Sequence, residues 1–175
     1  DKMQQESMQP NSITYINILK ACSTTAGAAE QGMLIHAHIT ENELESDVLL
    51  GSSILDMYAK CGSLNDARAI FNKLPKQDVV AYNAMIAAYA KYGKGKTAVE
   101  LLQRMSREGK NPDDATLVST LKACTSGMEI GQGKSIHDLI RRSGRVIDVS
   151  IGCTLMDMYI KLGDIGSARS IFDKM

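Results

Sequence analysis

The sequence predicts an all-α protein, an α-solenoid of stacked helix-turn-helix repeats. The segment ILDMYAKCGSLNDARAIF, which begins at Ile54, returns as LMDMYIKLGDIGSARSIF at Leu155, 101 residues later. Aromatic residues make up only 5% of the chain, while Ala, Leu, Ile and Met are plentiful, and this composition favours helix over strand. Helical hairpins of this length cannot bury both faces alone. Stacking must supply the missing cover, and we expect the first helices to line a concave groove.

Internal similarity divides the whole 175-residue chain into units, with a partial unit at each end. The units differ in length, and the lengths follow a regular order. The partial units are residues 1–11, which match the end of unit 79–113, and residues 149–175, which match the start of unit 48–78. The complete units are 12–47 (36 residues), 48–78 (31 residues), 79–113 (35 residues) and 114–148 (35 residues).

Each unit contains two segments with apolar residues at helical spacing, joined by a turn that contains glycine. In unit 79–113 the turn is at Gly93, which suits a left-handed conformation, and the second helix stops before Gly109 and Pro112. The apolar stripes predicted to be buried are Val80, Met85, Ile86 and Tyr89 in the first helix, and Ala98, Leu101, Leu102 and Met105 in the second. Small residues at one position of the second helices should let paired helices approach closely; these are Gly32, Ala67, Ala98, Gly133 and Ala168.

Charge and reactive residues indicate binding rather than catalysis. The 20 basic and 20 acidic side chains balance, which counts against a nucleic-acid ligand but does not exclude one, since charge can be concentrated on one face. Asp56 and Asp157 recur at the same repeat position, which indicates local structure rather than a catalytic carboxylate pair. No catalytic constellation is visible, so we expect no enzyme activity and no cofactor.

Metal, redox and membrane roles are not indicated either. We expect His36, His38 and His137 to bind no metal, because their spacing does not suit a ligand set. No apolar run is long enough to cross a bilayer, and no signal or transit peptide is visible. The cysteines form no Cys-x-x-Cys motif and are expected to be reduced core thiols; they are Cys22, Cys61, Cys124 and Cys153.

These units resemble the plant pentatricopeptide repeat (PPR) family, in the subfamily that alternates long (L), short (S) and standard (P) repeats. The segment DMYAKCGSLNDARAIF is similar to the short repeat, VVAYNAMIAAYAKYG with NPD to the standard repeat, and LKAC with GQGKSIHDLI to the long repeat. The resemblance identifies 12–47 and 114–148 as L-type, 48–78 and the truncated 149–175 as S-type, 79–113 as P-type, and 1–11 as the tail of a truncated P-type repeat.

The resemblance implies a function. Such proteins bind single-stranded RNA in chloroplasts or mitochondria, about one base per repeat, and members with this repeat order specify cytidines for conversion to uridine. The family's zinc deaminase domain carries His-x-Glu and Pro-Cys-x-x-Cys motifs, and neither occurs here. We therefore expect the RNA-recognition part of an organellar editing factor, with single-stranded RNA and other editing factors as partners.

In the family, the fifth and last residues of a repeat together select the base. The resemblance makes Asn83 and Asp113 a uridine-selecting pair, and Ser52 and Asp78 a purine-selecting pair that prefers guanosine. Cys153 occupies the fifth position of the second short repeat and leaves its preference open. The long repeats carry Ile16 and Val118 there, and since a branched apolar side chain cannot read a base edge, these repeats are expected to act as spacers. Asn11 would complete a pair whose first member precedes the chain.

The resemblance also implies that the second residue of each repeat wedges between neighbouring bases. The main candidates are Leu49, Val80 and Ala115, and the weaker ones are Ile13 and Ser150. For Leu49 and Val80 the alternative is ordinary burial at the start of a helix.

Three lysines recur at the thirteenth position of the repeats, each two residues after a tyrosine; they are Lys60, Lys91 and Lys161. Stacking would place them in a row beside the groove, where they could contact phosphates. Alternatively, they stabilise helix C-termini. The tyrosines, Tyr58, Tyr89 and Tyr159, are expected in the core.

A second hypothesis is a helical-repeat scaffold that binds protein. Neutral charge and the two apolar long repeats favour it. Apolar faces at the truncated ends of the array would also allow end-to-end self-association.

Overall fold

The computed structural model describes residues 10–25, 28–44, 47–124 and 130–175, the side chain of residue 130 excepted. This part of the chain contains ten α-helices and no strand, which confirms the all-α prediction. The predicted tail 1–11 lies outside the described residues except for residues 10 and 11. The helices are α1 (Ser12–Thr24), α2 (Ala29–Glu41), α3 (Val48–Cys61), α4 (Leu64–Lys73), α5 (Val79–Lys91), α6 (Gly95–Arg107), α7 (Asp114–Cys124), α8 (Ile130–Arg142), α9 (Val149–Lys161) and α10 (Ile165–Phe172).

First and second helices alternate along the chain. The odd-numbered, first helices begin at residues 12, 48, 79, 114 and 149, the first residues of the predicted repeats. Glycines with positive φ stand in three of the intervening turns: Gly62 (87°), Gly93 (71°) and Gly163 (79°). This conformation is strained for other residues, so the prediction of a left-handed turn at Gly93 is confirmed.

Contacts divide the chain into two compact units, Asp1–Met85 and Ile86–Met175. In the first unit, α3 packs against α1, α2 and α4. Helix α3 supplies much of the core, with Leu50, Ile54, Leu55, Met57 and Tyr58 buried. The rings of Phe71 in α4 and Tyr82 in α5 meet edge to face, with centroids 5.0 Å apart and planes at 82°.

In the second unit, α7 packs against α6, α8 and α9, and α9 packs against α8 and α10. Arg145, which follows α8, links the loop after α8 to the start of α7. Its guanidinium forms an ion pair with Asp114 and donates a hydrogen bond of 2.7 Å to the carbonyl of Pro112. In both units a first helix therefore packs on the next first helix, α1 on α3 and α7 on α9.

Two glycines of the second helices lie against a methionine of the following first helix. A Cβ atom added at Gly32 would lie 2.4 Å from Met57 Sδ, and one added at Gly133 would lie 2.8 Å from Met158 Sδ. The sequence predicted that these small residues serve packing within a hairpin. At both glycines the atoms nearest to an added Cβ belong to the next hairpin, a close approach that the sequence did not predict. The alanines at the equivalent position are buried; they are Ala67, Ala98 and Ala168.

A tyrosine–histidine hydrogen bond joins the second helix of units 12–47 and 114–148 to the first helix of the following unit. Tyr58 Oη lies 3.0 Å from His36 Nδ1, and Tyr159 Oη lies 3.0 Å from His137 Nδ1. His38 instead pairs with Tyr15 of its own hairpin, at 2.7 Å. His36 and His38 thus face different helices, as their spacing of two residues requires.

Most predicted core residues of unit 79–113 are buried; the two exceptions are Leu101, which is half-buried, and Val80. Met85, Ile86 and Tyr89 of α5 are buried, and so are Tyr58 and Tyr159. Val80 was predicted in the same buried stripe, but 65% of its surface is exposed. The stripe prediction is wrong there, because α5 packs on the face that carries Met85 and Ile86 and leaves the face of Val80 uncovered.

The cysteine prediction holds for Cys22 and Cys124, which are buried, and burial raises the pKa of the Cys124 thiol to about 12. Cys61 is half-buried. The prediction of a core thiol is wrong for Cys153, which is exposed because it lies on the uncovered face of α9.

We expect the protein to lose stability as pH falls below about 6.5, in part because of His137. Burial lowers the pKa of His137 from its ordinary 6.5, while Asp138 opposes this change and Arg141 and Lys174 add to it. Below pH 6.5, His137 binds a proton in the unfolded chain but stays neutral in the folded protein. The free energy of unfolding therefore falls with pH until the pKa of His137 in the folded protein is passed.

Urea unfolding at several pH values between 7.5 and 5 measures this loss. His137→Gln should keep a polar contact with Tyr159 and flatten the pH dependence. An unchanged pH dependence in the variant would contradict this role of His137.

Candidate nucleic-acid interface

Positions 2, 5 and 9 of every first helix share one face, and position 13 lies on the same face in α1, α3, α5 and α9. Because an α-helix has 3.6 residues per turn, repeat positions 2, 5, 9 and 13 fall within a narrow angular range. We call them the exposed stripe, since none of its described members is buried. The stripe consists of Ile13, Ile16, Lys20 and Thr24 in α1; Leu49, Ser52, Asp56 and Lys60 in α3; Val80, Asn83, Ala87 and Lys91 in α5; Ala115, Val118 and Lys122 in α7; and Ser150, Cys153, Asp157 and Lys161 in α9.

The second position presents apolar side chains to solvent. Leu49 is 71% exposed, Val80 65% and Ile13 67%, and Ala115 and Ser150 are also exposed. Burial at the start of the helix, the alternative interpretation of Leu49 and Val80, is therefore wrong. Exposed apolar surface of this kind suits stacking against the faces of unpaired bases.

The fifth position lies one helical turn further along the same face. Ser52 and Asn83 are half-buried, and Ser52 Oγ donates a hydrogen bond of 2.9 Å to the carbonyl of Val48. Ile16 and Val118 are half-buried as well, whereas Cys153 is exposed. The stripe thus places hydrogen-bonding groups beside apolar ones in α3 and α5, and only apolar side chains at these two positions in α1 and α7.

The last residue of each repeat has a structural role that the sequence analysis missed: it caps the next first helix. Asp78 Oδ1 accepts a hydrogen bond of 2.8 Å from the Ala81 amide, and Asp113 Oδ1 accepts one of 2.7 Å from Thr116. Three further residues cap in the same way; they are Asn11, Asp47 and Asp148. An acceptor directly before a helical segment is a recognisable N-cap signal.

Asp47 illustrates the electrostatics of these caps. A hydrogen bond from the Ser12 side chain and the amides of Leu50 and Leu49 lower the pKa of its carboxyl, against the opposing effect of partial burial. The carboxylate form is thereby stabilised at the helix N-terminus, where the peptide dipoles also favour negative charge.

Within the described residues no hydrogen bond joins the members of the predicted selecting pair in the first unit. Ser52 bonds its own helix, and Asp78 caps α5. The second pair is divided between the two compact units, with Asn83 in the first and Asp113 in the second.

The thirteenth-position lysines all lie in the last turn of a first helix. Lys60 Nζ lies 2.7 Å from Asp56 Oδ2, and Lys161 Nζ lies 2.8 Å from Asp157 Oδ2. The recurring aspartates therefore have the local structural role that the sequence indicated. At Lys91 the position four residues earlier is Ala87, and the ammonium lies 5.2 Å from the centroid of the Tyr92 ring.

Two exposed lysines on the stripe, Lys20 and Lys122, are not among the functional residues predicted from the sequence. Lys20 and Lys122 occupy the ninth position of units 12–47 and 114–148, where units 48–78 and 149–175 carry Asp56 and Asp157. The sequence does contain a signal for these lysines. When the repeats are aligned, the ninth position carries lysine in some repeats and aspartate in others.

Among the described residues, no group of three or more His, Cys, Asp or Glu side chains is arranged to hold a metal ion. In the same part of the chain, no helix combines the length and the apolar character that a membrane span requires.

Comparison with sequence families matches the description "PPR repeat family" to residues 77–126 and "PPR repeat" to residues 52–79 and 153–175. The pentatricopeptide repeat-containing protein At5g27110 of Arabidopsis thaliana is 36% identical over 99% of this chain and 25% of its own length. From the same plant, "At4g18520, chloroplastic" is 35% identical and "At3g13770, mitochondrial" is 36% identical, each over 99% of this chain and 28% of its own length. The chain thus spans about a quarter of the length of these relatives.

Solved structures of the pentatricopeptide repeat protein PPR10 resemble this one. The pentatricopeptide repeat protein PPR10 in complex with an 18-nt psaJ RNA element matches 97% of this chain and 26% of its own, with a TM-score of 0.74 and 22% identity. PPR10 from maize matches 99% of this chain and 30% of its own, with a TM-score of 0.63 and 16% identity. The likeness confirms the predicted fold class, an all-α solenoid of helix-turn-helix repeats.

We expect the capping role to be measurable apart from any ligand. Asp78→Ala and Asp148→Ala should each lower the free energy of unfolding by about 1 kcal/mol, the usual loss when an N-cap acceptor is removed. Asp78→Asn and Asp148→Asn should retain most of the stability, because asparagine caps nearly as well. Denaturant unfolding of the four variants measures both effects. Equal stability of the Ala and Asn variants would contradict the capping role.

Proposed function

Because the chain belongs to the pentatricopeptide repeat family, we propose that it binds single-stranded RNA on the exposed stripe of its first helices. The observation that carries this proposal is the exposure of Leu49 and Val80 one turn from the polar residues Ser52 and Asn83. Exposed apolar side chains that recur at one position of stacked helices mark a candidate binding surface. Stacking surfaces beside hydrogen-bonding groups are what recognition of unpaired bases requires.

The proposed selecting pairs are Ser52 with Asp78 for guanosine, and Asn83 with Asp113 for uridine. An aspartate carboxylate offers about four acceptor sites on two oxygens. Capping through Oδ1 is therefore compatible with a second hydrogen bond to a base or to a bound water. Cys153 is proposed as the fifth-position residue of the last repeat, and Ala115 as a further stacking residue.

The proposal extends to the repeat subfamily and to the biological role of the protein. We propose that the repeats alternate as L-type (12–47, 114–148), S-type (48–78, 149–175) and P-type (79–113), and that the chain forms the recognition part of an organellar C-to-U RNA-editing factor. The repeat order and lengths support the subfamily, and the names of two relatives support a chloroplast or a mitochondrion. Other editing factors are the proposed protein partners.

A protein-binding scaffold is the second candidate function. Met33 and Leu34 favour it, since they are exposed on α2, away from the stripe of the first helices. Phe172 is also exposed, on the last helix, where another repeat or a second copy of the chain would stack.

We expect tighter binding to RNA that contains guanosine followed by uridine than to RNA with these bases exchanged. Repeats in N- to C-terminal order are expected to read RNA from 5′ to 3′. Loss of one or two hydrogen bonds at about 1 kcal/mol each predicts a preference of about 5- to 30-fold. Fluorescence anisotropy with labelled 12-nucleotide RNAs measures the ratio. Equal, weak binding of every RNA at low salt would favour the scaffold.

We expect Asn83→Thr to change the preferred second base from uridine to guanosine. A hydroxyl in place of the amide alters the donor and acceptor pattern at the fifth position. Cys153→Thr is the matched control, because Cys153 lies on the stripe but belongs to neither selecting pair. This variant should leave the preference for the second base unchanged. A uridine preference that survives in Asn83→Thr would contradict the assignment of Asn83.

A further inference from the structure

We propose that the long repeats, whose fifth positions cannot read bases, hold the RNA backbone through the ninth-position lysines Lys20 and Lys122. This inference rests on the proposed function and extends it to repeats that the sequence analysis treated as spacers. Both lysines are exposed on the stripe, four residues (about one helical turn) after the fifth position, where a base would be selected.

The charge of the stripe differs between repeat types. In the short repeats, Asp56 and Asp157 lie within 2.8 Å of Lys60 and Lys161, so each of these stripes carries no net charge. A phosphate that approached either lysine would also approach a carboxylate. In the long repeats the stripe contains a lysine and no acidic residue among its described members.

Local helix stabilisation does not account for Lys20. Helix α1 has no basic residue in its last turn, so Lys20 lies outside the region where the peptide dipoles favour a cation. The residues three and four positions away along the chain are Ile16, Asn17, Ser23 and Thr24, none of which is acidic. Lys122 has the same repeat position and is likewise exposed, although it lies in the last turn of α7.

The arrangement occurs twice, once in each compact unit. In the first unit α1 packs on α3, and in the second α7 packs on α9. Each long-repeat lysine therefore lies on a helix that adjoins a short-repeat first helix. Phosphate binding by the long repeats and base contact by their neighbours would divide one strand between adjacent helices.

The salt dependence of RNA binding tests this inference. For single strands, each phosphate contact contributes about 0.7 to the slope of log affinity against log salt. Anisotropy titrations with a labelled 12-nucleotide RNA containing guanosine–uridine, between 50 and 300 mM KCl, should show a slope reduced by about 0.7 in Lys20→Gln and in Lys122→Gln. Lys20→Arg should keep the original slope, because the charge is retained.

Two further variants make the test specific. Lys96→Gln removes an exposed lysine of the second helix α6 and should leave the slope unchanged. Asp56→Asn together with Asp157→Asn should raise the slope, because Lys60 and Lys161 lose their neutralising partners. Circular dichroism confirms that each variant retains its helix content.

Failure of this inference and failure of the proposed function give different results. If the unmodified protein binds RNA, and Lys20→Gln and Lys122→Gln keep the full slope, the long-repeat lysines do not contact phosphates while RNA binding stands. If the unmodified protein binds no RNA even at 50 mM KCl, both proposals are wrong.

Discussion

The hydrogen bond from the first turn of each first helix to the acceptor that precedes it determines much of what the molecule presents to solvent. Asp78 and Asp113 accept these bonds at 2.8 and 2.7 Å, and the other repeat boundaries in the described part of the chain have equivalent caps. An N-cap sets the residue at which a helix begins, and the 3.6-residue turn then sets which residues share a face. Positions 2, 5 and 9 fall on one side of every first helix because each of these helices starts at the same repeat position.

Packing then separates the two faces of each first helix. The face that carries Leu50, Ile54 and Tyr58 in α3 is buried against neighbouring helices, while Leu49 and Ser52 remain accessible. The tyrosine–histidine bonds and the glycine–methionine contacts recur 101 residues apart, so the junction of units 12–47 and 48–78 is built in the same way as that of units 114–148 and 149–175. Because this framework is common to the repeats, the stripe residues can vary between Ser, Asn, Cys, Ile and Val without disturbing the core.

Sequence periodicity predicted the helices, the turn at Gly93 and the burial of Met85 and Ile86, because these depend on local spacing. It misplaced Val80 in the core, since an apolar residue in a helix is buried only if a neighbouring helix covers its face. It missed the partner of Gly32, because Met57 comes from the next hairpin. The ion pair of Lys60 with Asp56 could have been predicted from their four-residue spacing. The N-caps could also have been predicted from the sequence, because an acceptor precedes each first helix. These aspartates had instead been assigned a base-selecting role.

The central claim is that RNA contacts the exposed stripe of the first helices, and chemical-shift mapping of backbone amides tests it most directly. Titration of the isotope-labelled protein with a short RNA containing guanosine–uridine should perturb amides around Leu49, Ser52, Val80 and Asn83 most strongly. Amides in the middle of the second helices α4 and α6 should change little. Perturbations concentrated on the second helices, with the amides of the stripe unchanged, would contradict the account.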